Sequence, residues 1–228
     1  MELACGYCNT INKKGLAMTK QPPMRSFLPP ETVEMIEKYG SDFPADLAFD
    51  QEMIILFSDM RGFTEMADKY EPREVYATIN ASIAIQTRVI MRHGGSINKF
   101  LGDGLLACFS GENRGVQALR CLLELIAELK QEEEINDRLP CHIGFGMHDG
   151  QVLFGLLGDE MRKEFTVIGD VANTAARLCG IAQPFQGLMT EDCIRLMPEN
   201  LVKKHCRYLN SVYFKGKSSG MEVFYVEL

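Results

Sequence analysis

The chain has 228 residues, of which 46% are hydrophobic and 24% are charged, and its formal net charge at pH 7 is -7. This size and composition suit one sizeable globular domain with a short appendage. The acidic balance argues against a nucleic-acid surface. No stretch resembles a membrane span or a signal peptide, so we expect a soluble chain that does not itself insert into a membrane.

The eight cysteines bear on the compartment in which the protein works. Cys5 and Cys8 form a C-x-x-C pair that is open to three interpretations: half of a zinc site, a redox pair, or an incidental remnant. The other six lie in mostly apolar surroundings, which predicts reduced core residues and a cytoplasmic protein. These six are Cys108, Cys121, Cys141, Cys179, Cys193 and Cys206.

The N-terminal part, residues 1–49, is interpreted as an irregular segment followed by a connector helix. Residues 29–40 begin with proline and glutamate and end with glycine, which predicts a short helix. The apolar run 53–58 then predicts a strand that is buried on both faces. We therefore expect the main domain to occupy residues 50–228.

Two long helices and a hairpin are predicted next. Apolar residues recur at helical spacing over 71–95 and again over 114–138. Between them, residues 96–110 predict two short strands around a Gly-Asp-Gly turn.

The last third of the chain predicts further strands around one helix. Residues 141–158 predict a second hairpin that turns at Asp149 and Gly150. Residues 170–182 predict a helix with Asp170 as its N-cap. The order of elements predicts an α+β fold, a ferredoxin-like split-βαβ sheet with helices packed on one face.

Two carboxylates stand at the ends of predicted strands. Asp59 follows the apolar run 53–58, and Asp103 occupies the predicted turn of 96–110. A carboxylate at the edge of a core needs a partner, which for Asp59 is a backbone N–H, an arginine such as Arg61, or a metal ion. In a split-βαβ sheet both carboxylates can meet at one edge, where they repel unless a cation lies between them. Two Mg²⁺ or Mn²⁺ ions with a bound triphosphate fit such a pair.

A third pair lies on the predicted helix 170–182. Asn173 and Arg177 are four residues apart and share one face. An amide beside a guanidinium suits a sugar oxygen and a phosphate. The alternative for Arg177 is a surface ion pair.

Four motifs together resemble a known family. They are "ILFSDMRGFT", "INKFLGDGLLACF", "FTVIGDVANTAARL" and "FKGK". In this order and spacing they resemble the catalytic domain of class III nucleotidyl cyclases, in particular bacterial adenylyl cyclases, over roughly residues 50–228. The resemblance implies that ATP is converted to 3′,5′-cyclic AMP and pyrophosphate.

The resemblance also implies roles for the reacting end of the nucleotide. Asp59 and Asp103 would be the ligands of two metal ions per site, with the backbone from Ile55 to Ser58 near the second metal ion through a carbonyl. Asn173 would orient the ribose, and Arg177 would stabilise charge on the α-phosphate.

Four further residues are implied to bind the rest of the nucleotide. Lys99 and Thr166 would read the purine, Lys215 would hold the terminal phosphates, and Arg162 would reach a phosphate. A lysine donates to the N1 acceptor of adenine, and a threonine hydroxyl accepts from the 6-amino group. Guanylyl members of the family usually carry Glu and a small residue at these positions, while mammalian-type adenylyl members carry Asp at the position of Thr166. The pair therefore favours ATP.

The resemblance further implies a homodimer, because the metal ligands and the other site residues come from opposite subunits and this chain holds both sets. Residues 25–49 resemble the connector to an upstream sensor, so we expect a sensor or a partner to supply regulation. The alternatives are a guanylyl cyclase, and an inactive cyclase-like module that binds nucleotide or dimerises. A diguanylate cyclase is disfavoured because its Gly-Gly-Asp/Glu-Glu-Phe hairpin is missing.

Overall fold

The computed structural model describes residues 30–40, 47–136, 138–159, 161–214 and 220–228. Cys5, Cys8 and Lys215 lie outside the described residues. The helices and strands, in chain order, are α1 (Pro30–Tyr39), β1 (Ala48–Met60), α2 (Phe63–Lys69), α3 (Pro72–Arg92), β2 (Ser96–Phe100), β3 (Leu105–Ser110), α4 (Arg114–Ile135), β4 (Ile143–Gly158), β5 (Lys163–Ile168), α5 (Asp170–Ile181), β6 (Gly187–Thr190), α6 (Glu191–Ile194), α7 (Glu199–His205), β7 (Cys206–Val212) and β8 (Met221–Val226).

One mixed sheet organises the domain. Its strand order is β2-β3-β1-β4-β6-β8-β7, and β5 pairs with β4 outside this path. The central strand β1 is antiparallel to both β3 and β4. The pair β4 and β6 is parallel and is joined through α5, as a split-βαβ arrangement requires. The predicted α+β fold class is confirmed.

The two faces of β1 bury different clusters of apolar residues, because successive side chains of a strand point to opposite faces. Ile54 and Leu56 belong to the larger cluster, which includes residues of α3 and α4. Ile55 points to the other face, where it belongs to a cluster with Val171 and Ala175 of α5. The two long helices thus share one face as predicted, while α5 covers part of the opposite face.

The predicted hairpin over 141–158 is wrong, since these residues form the single strand β4. From Ile143 to Gly155 it pairs with the long strand β1, with Ile54 opposite Asp149 and Met53 opposite Gly150. The Asp149 carboxylate accepts from Arg114 Nε across 2.7 Å, so the aspartate is satisfied within the sheet and does not need a turn.

Glycines bring α5 close to the sheet. A Cβ at Gly146 would lie 2.1 Å from the backbone nitrogen of Cys179 and 2.3 Å from the carbonyl oxygen of Ala175. No larger residue fits there without moving the helix. The N-cap of α5 is Gly169 and not Asp170, which is the first helical residue, where its charge still suits the helix dipole.

The short helix α1 confirms the predicted helix over 29–40 and packs back onto the domain. It contacts β2 and β5, and its Met35 packs against the apolar cluster that includes Phe165. No helix among the described residues is long and apolar enough to cross a bilayer.

Candidate active site

The end of β1 and the turn between β2 and β3 are locked together. The backbone N–H of Leu105 donates to Ser58 Oγ across 3.1 Å, and the N–H of Leu101 donates to the carbonyl oxygen of Gly104 across 2.9 Å to close the turn. A Cβ at Gly104 would lie 3.1 Å from the Cα of Asp59. This close approach brings Asp103, on the turn, beside Asp59, on the strand end.

The charge of Asp59 acts on the nearby Asp103 carboxyl. Burial raises the pKa of the Asp103 carboxyl, and the charge of Asp59 raises it further. The backbone N–H groups of Asp103 itself and of Met60, and the charge of Arg61, act in the opposite direction. The fold therefore holds two like charges close together at a partly exposed edge, which a cation would relieve.

Arg61 is already one partner of Asp59. Its Nη2 donates to Asp59 Oδ2 across 2.6 Å, and its Nη1 donates to the carbonyl oxygen of Gly180 across 3.2 Å. The arginine considered as a partner of Asp59 from the sequence is thus in contact with it. It also ties the strand end to the last turn of α5.

The donor set fits divalent cations that take most of their ligands from a substrate. Asp59 and Asp103 offer hard carboxylate oxygens, which Mg²⁺ and Mn²⁺ prefer. Among the residues that the structure describes, no group of three or more His, Cys, Asp or Glu could hold a metal ion. The remaining ligands would have to be phosphate oxygens, water or backbone carbonyls, as is usual for Mg²⁺ at a nucleotide.

Ile55 itself does not reach this edge, so of the predicted segment 55–58 only the Ser58 end lies beside Asp59, and a backbone ligand from it stays a prediction. Ile55 lies in the middle of β1, fully buried, between Cys108 of β3 and His148 of β4. Four residues of strand separate it from Asp59, which is about 13 Å.

Lys99 and Thr166 are brought into direct contact. Lys99 Nζ on β2 donates to Thr166 Oγ1 on β5 across 2.9 Å. The same ammonium forms an ion pair with Glu164 Oε1 at 2.6 Å. Two of the three N–H groups of Lys99 are then engaged, and the third is available to an acceptor on a ligand.

Asn173 and Arg177 lie on the solvent side of α5. Their neighbours Thr174, Ala175 and Leu178 are buried, so the helical repeat leaves Asn173 and Arg177 exposed together. The Arg177 guanidinium lies over the ring of Phe214, 5.9 Å from its centroid. This contact places Arg177 beside Phe214, which lies two residues beyond the end of β7.

The remaining predicted binding residues are less defined. Arg162 is exposed in the β4–β5 connection, where its backbone N–H donates to Asp159 Oδ1 across 3.2 Å and its carbonyl accepts from Asp159 N–H. Its predicted reach to a phosphate remains a prediction. Lys215 lies outside the described residues, so its role as a phosphate ligand also remains a prediction.

Sequence reasoning missed two polar residues around Lys99. Glu164 precedes Thr166 by two residues, so both point to the same side of β5. Asn98 is 3% exposed and donates from Nδ2 to the carbonyl oxygen of Phe165 across 3.3 Å. The available signal was the adjacent polar pair Asn98-Lys99 between apolar residues, which breaks strand alternation.

Comparison with known proteins agrees with this arrangement. The family model for the adenylate and guanylate cyclase catalytic domain matches residues 48–227, and the chain belongs to this family. An adenylate cyclase from Anabaena cylindrica is 30% identical over 221 residues, which cover 88% of this chain and 42% of that protein. The chain thus spans less than half the length of this relative.

Solved structures of the family include cyclases for both purines. A bacterial light-regulated adenylyl cyclase superposes with a TM-score of 0.76 at 26% identity, covering 89% of this chain and 59% of that one. The guanylyl cyclase Cya2 superposes with a TM-score of 0.72, also at 26% identity, covering 79% of this chain and 93% of that one. The family and fold therefore define a nucleotidyl cyclase catalytic domain, and leave the choice of base to the residues of the site.

Proposed function

We propose that this chain is an adenylyl cyclase that converts ATP to 3′,5′-cyclic AMP and pyrophosphate, with two Mg²⁺ or Mn²⁺ ions per site, at the interface of a homodimer. The domain that does so would be residues 50–228. The observation that carries the choice of ATP is the contact between Lys99 Nζ and Thr166 Oγ1 at 2.9 Å.

This contact supports adenine because of what each atom can still do. Lys99 can donate a remaining N–H to the N1 of adenine, which is an acceptor. Thr166 Oγ1 accepts from Lys99 and has a second lone pair for the 6-amino group. Guanine presents N1–H and O6 instead, so Lys99 would face a donor.

The chemistry requires little covalent participation by the protein. The ribose 3′-oxygen attacks the α-phosphorus in line, the bond from the α-phosphorus to the bridging oxygen breaks, and pyrophosphate leaves. Asn173 would hold the ribose so that its 3′-oxygen points at the phosphorus. Arg177 would donate to the α-phosphate as charge develops there. We assign no general base to a side chain, and the proton of the 3′-hydroxyl would leave through water or the substrate.

The metal site would be formed by Asp59 and Asp103. Two divalent cations, when bound, would lower the pKa of the 3′-hydroxyl and neutralise the negative charge of the triphosphate. Asp59 would have to share its Oδ2 between Arg61 and a cation, or release Arg61. Lys215 and Arg162 would hold the phosphates of the leaving group.

A homodimer is supported by where the pairs lie on one chain. Asn173 is seven residues before Gly180, which contacts Arg61, so it lies about 10 Å along the helix axis from the metal edge. Asn173 and Arg177 are exposed, and hydrophobic side chains on the β2–β3 and β4–β5 connections are exposed too, such as Leu101 and Met161. An isologous dimer would bury such surfaces and form two equivalent sites.

A guanylyl cyclase is the second candidate, and one contact favours it. The Glu164 carboxylate lies 2.6 Å from Lys99 Nζ, and a carboxylate can accept from the N1–H and 2-amino groups of guanine. Direct identification of the product separates the two. The purified chain is incubated with ATP or with GTP and Mn²⁺, and the nucleotides are resolved by chromatography and mass spectrometry.

The expected product is 3′,5′-cyclic AMP with pyrophosphate, and the Arg177→Ala variant serves as the matched blank. Preferential formation of cyclic GMP would establish the second candidate. If neither nucleotide gave a cyclic product, the remaining interpretation would be a cyclase-like module that binds nucleotide or dimerises.

A cytoplasmic location is supported by six free thiols in the described residues. Regulation by an upstream sensor or a partner is the last part of the proposal.

A further inference from the structure

A β-bulge interrupts β2 at Asn98. Ile97 pairs with Ala107 and Lys99 pairs with Leu106, so the register shifts between Ile97 and Lys99. In a regular strand Asn98 and Lys99 would point to opposite faces. The extra residue of a bulge removes this alternation and re-aims the side chains beside it. Here both Asn98 and Lys99 reach β5.

Side chains of β2 connect that strand to β5. The backbone of β5 pairs with β4, from Lys163 opposite Gly158 to Ile168 opposite Leu153. Asn98 bonds to the carbonyl oxygen of Phe165, and the next residue on each strand forms the Lys99–Thr166 contact. The amide of Asn98 therefore holds β2 to β5 at a position one residue away from the proposed base-reading pair.

One polar atom of Asn98 also destabilises the fold. It is 3% exposed, and its Oδ1 is buried without a hydrogen-bond partner in the described structure. A buried unpaired acceptor destabilises a fold, and a valine would suit a buried strand better. The donated bond to Phe165 is what a valine could not supply.

We propose that Asn98 is a positioning residue for purine recognition, which acts by holding β5 against β2 so that Lys99 and Thr166 present their donor and acceptor at a fixed separation. The proposal rests on the proposed function, because it takes Lys99 and Thr166 as the base-reading pair. Asn98 itself touches no substrate atom in this scheme.

Equilibrium binding tests the proposal without turnover. The probes are α,β-methylene-ATP and α,β-methylene-GTP, in which a P–C bond replaces the bond that cyclisation breaks. Dissociation constants are measured with Mg²⁺ by calorimetry for wild type, Asn98→Ala, Lys99→Ala and the double variant. Asn98→Ala should weaken the ATP analogue about three- to tenfold, the range for one lost hydrogen bond, and leave the GTP analogue nearly unchanged.

A double-mutant cycle separates positioning from a general structural role. If Asn98 acts through Lys99, then Asn98→Ala should change the ATP-to-GTP preference little once Lys99→Ala is present. The matched control is Asn136→Ala, which removes the same kind of bond, from Nδ2 to the carbonyl oxygen of Glu132, at the end of α4. It should leave both dissociation constants unchanged.

Several outcomes would overturn the proposal. They are an unchanged preference in Asn98→Ala, an equal loss for both analogues, or additive effects with Lys99→Ala. Asn98→Val, which suits a buried strand, is the second variant, and failure of both variants to fold would assign Asn98 to the fold alone. If Lys99→Ala leaves the preference unchanged, or wild type binds neither analogue, the proposed function fails together with this inference. If Lys99→Ala changes the preference and Asn98→Ala does not, only this inference fails.

Discussion

A Cβ at Gly104 would lie 1.9 Å from the carbonyl oxygen of Ser58, so the turn that carries Asp103 rests directly on the strand end that carries Asp59. The absence of a side chain at Gly104 is what allows two carboxylates from distant parts of the sequence to lie side by side. The geometry of the proposed metal site thus depends on a residue that has no functional group.

Gly104→Ala should therefore separate the turn from the strand end. The clash is with backbone, which cannot rotate away, so we expect a loss of about 1–3 kcal/mol in the free energy of unfolding and a loss of most cyclase activity. Urea unfolding and product assays measure the two effects. Gly180→Ala is the control, since a Cβ there meets no atom within 4 Å. Wild-type activity in Gly104→Ala would show that the turn can move without harm to the site.

Asp103→Asn should abolish turnover and stabilise the metal-free fold. Because the pKa of Asp103 is raised in the folded state, its protonated form favours folding, and this stabilisation is lost as the pH rises through the folded pKa. At pH 7 the ionised carboxylate costs stability, and asparagine removes that cost. Melting in EDTA should show a higher midpoint than wild type at pH 7, with a smaller difference below pH 4.

The control for Asp103→Asn is Asp68→Asn, an exposed aspartate of α2, which should change neither activity nor melting. A variant at Asp103 that keeps more than a few per cent of wild-type turnover would contradict its proposed role as a metal ligand. The same holds for Asp59→Ala.

Mixing two inactive variants tests the proposed homodimer. Asp59→Ala and Arg177→Ala should each be inactive, but a mixed dimer would contain one intact site. Random exchange should restore about a quarter of the wild-type rate, since half of the dimers are mixed and each has one of two sites. Asp59→Ala with Asp103→Ala is the control and should restore nothing, because both changes affect the same half-site. No recovery after proven subunit exchange would place each site within one chain.

Exchanging the proposed base-reading pair tests the proposed preference for ATP. Lys99→Glu with Thr166→Cys would face adenine with an acceptor at N1, and each mismatched buried group costs about 1–3 kcal/mol. The ratio of kcat/KM for ATP to that for GTP should fall by about two orders of magnitude. Lys69→Glu, at an exposed position of α2, makes the same charge change and should leave the ratio unchanged. An unaltered ratio in a folded, dimeric double variant would remove these residues from base recognition.

Local patterns were sufficient for most elements. The helical spacing of apolar residues predicted α3, α4 and α5 to within a few residues, and the Gly-Asp-Gly turn predicted the β2–β3 hairpin. Asp59 and Asp103 stand at the ends of these elements, so their meeting at a sheet edge followed from the fold class, whereas the pairing of Lys99 with Thr166 followed only from the family resemblance. Asp59 with Asp103, and Lys99 with Thr166, are in fact neighbours.

What the sequence by itself determined is therefore the set of elements and the types of functional groups, since both depend on residues close together in the chain. Only the tertiary structure decided the conformation of positions at which a local signal competes with a partner from a distant segment. Asp149 and Gly150 remain within a strand because β1 pairs with β4 on both sides of them and Arg114 satisfies the carboxylate. Arg61 on Gly180, Glu164 on Lys99 and Asn98 on Phe165 likewise join distant segments by packing and hydrogen bonds, which no periodicity or turn signal encodes.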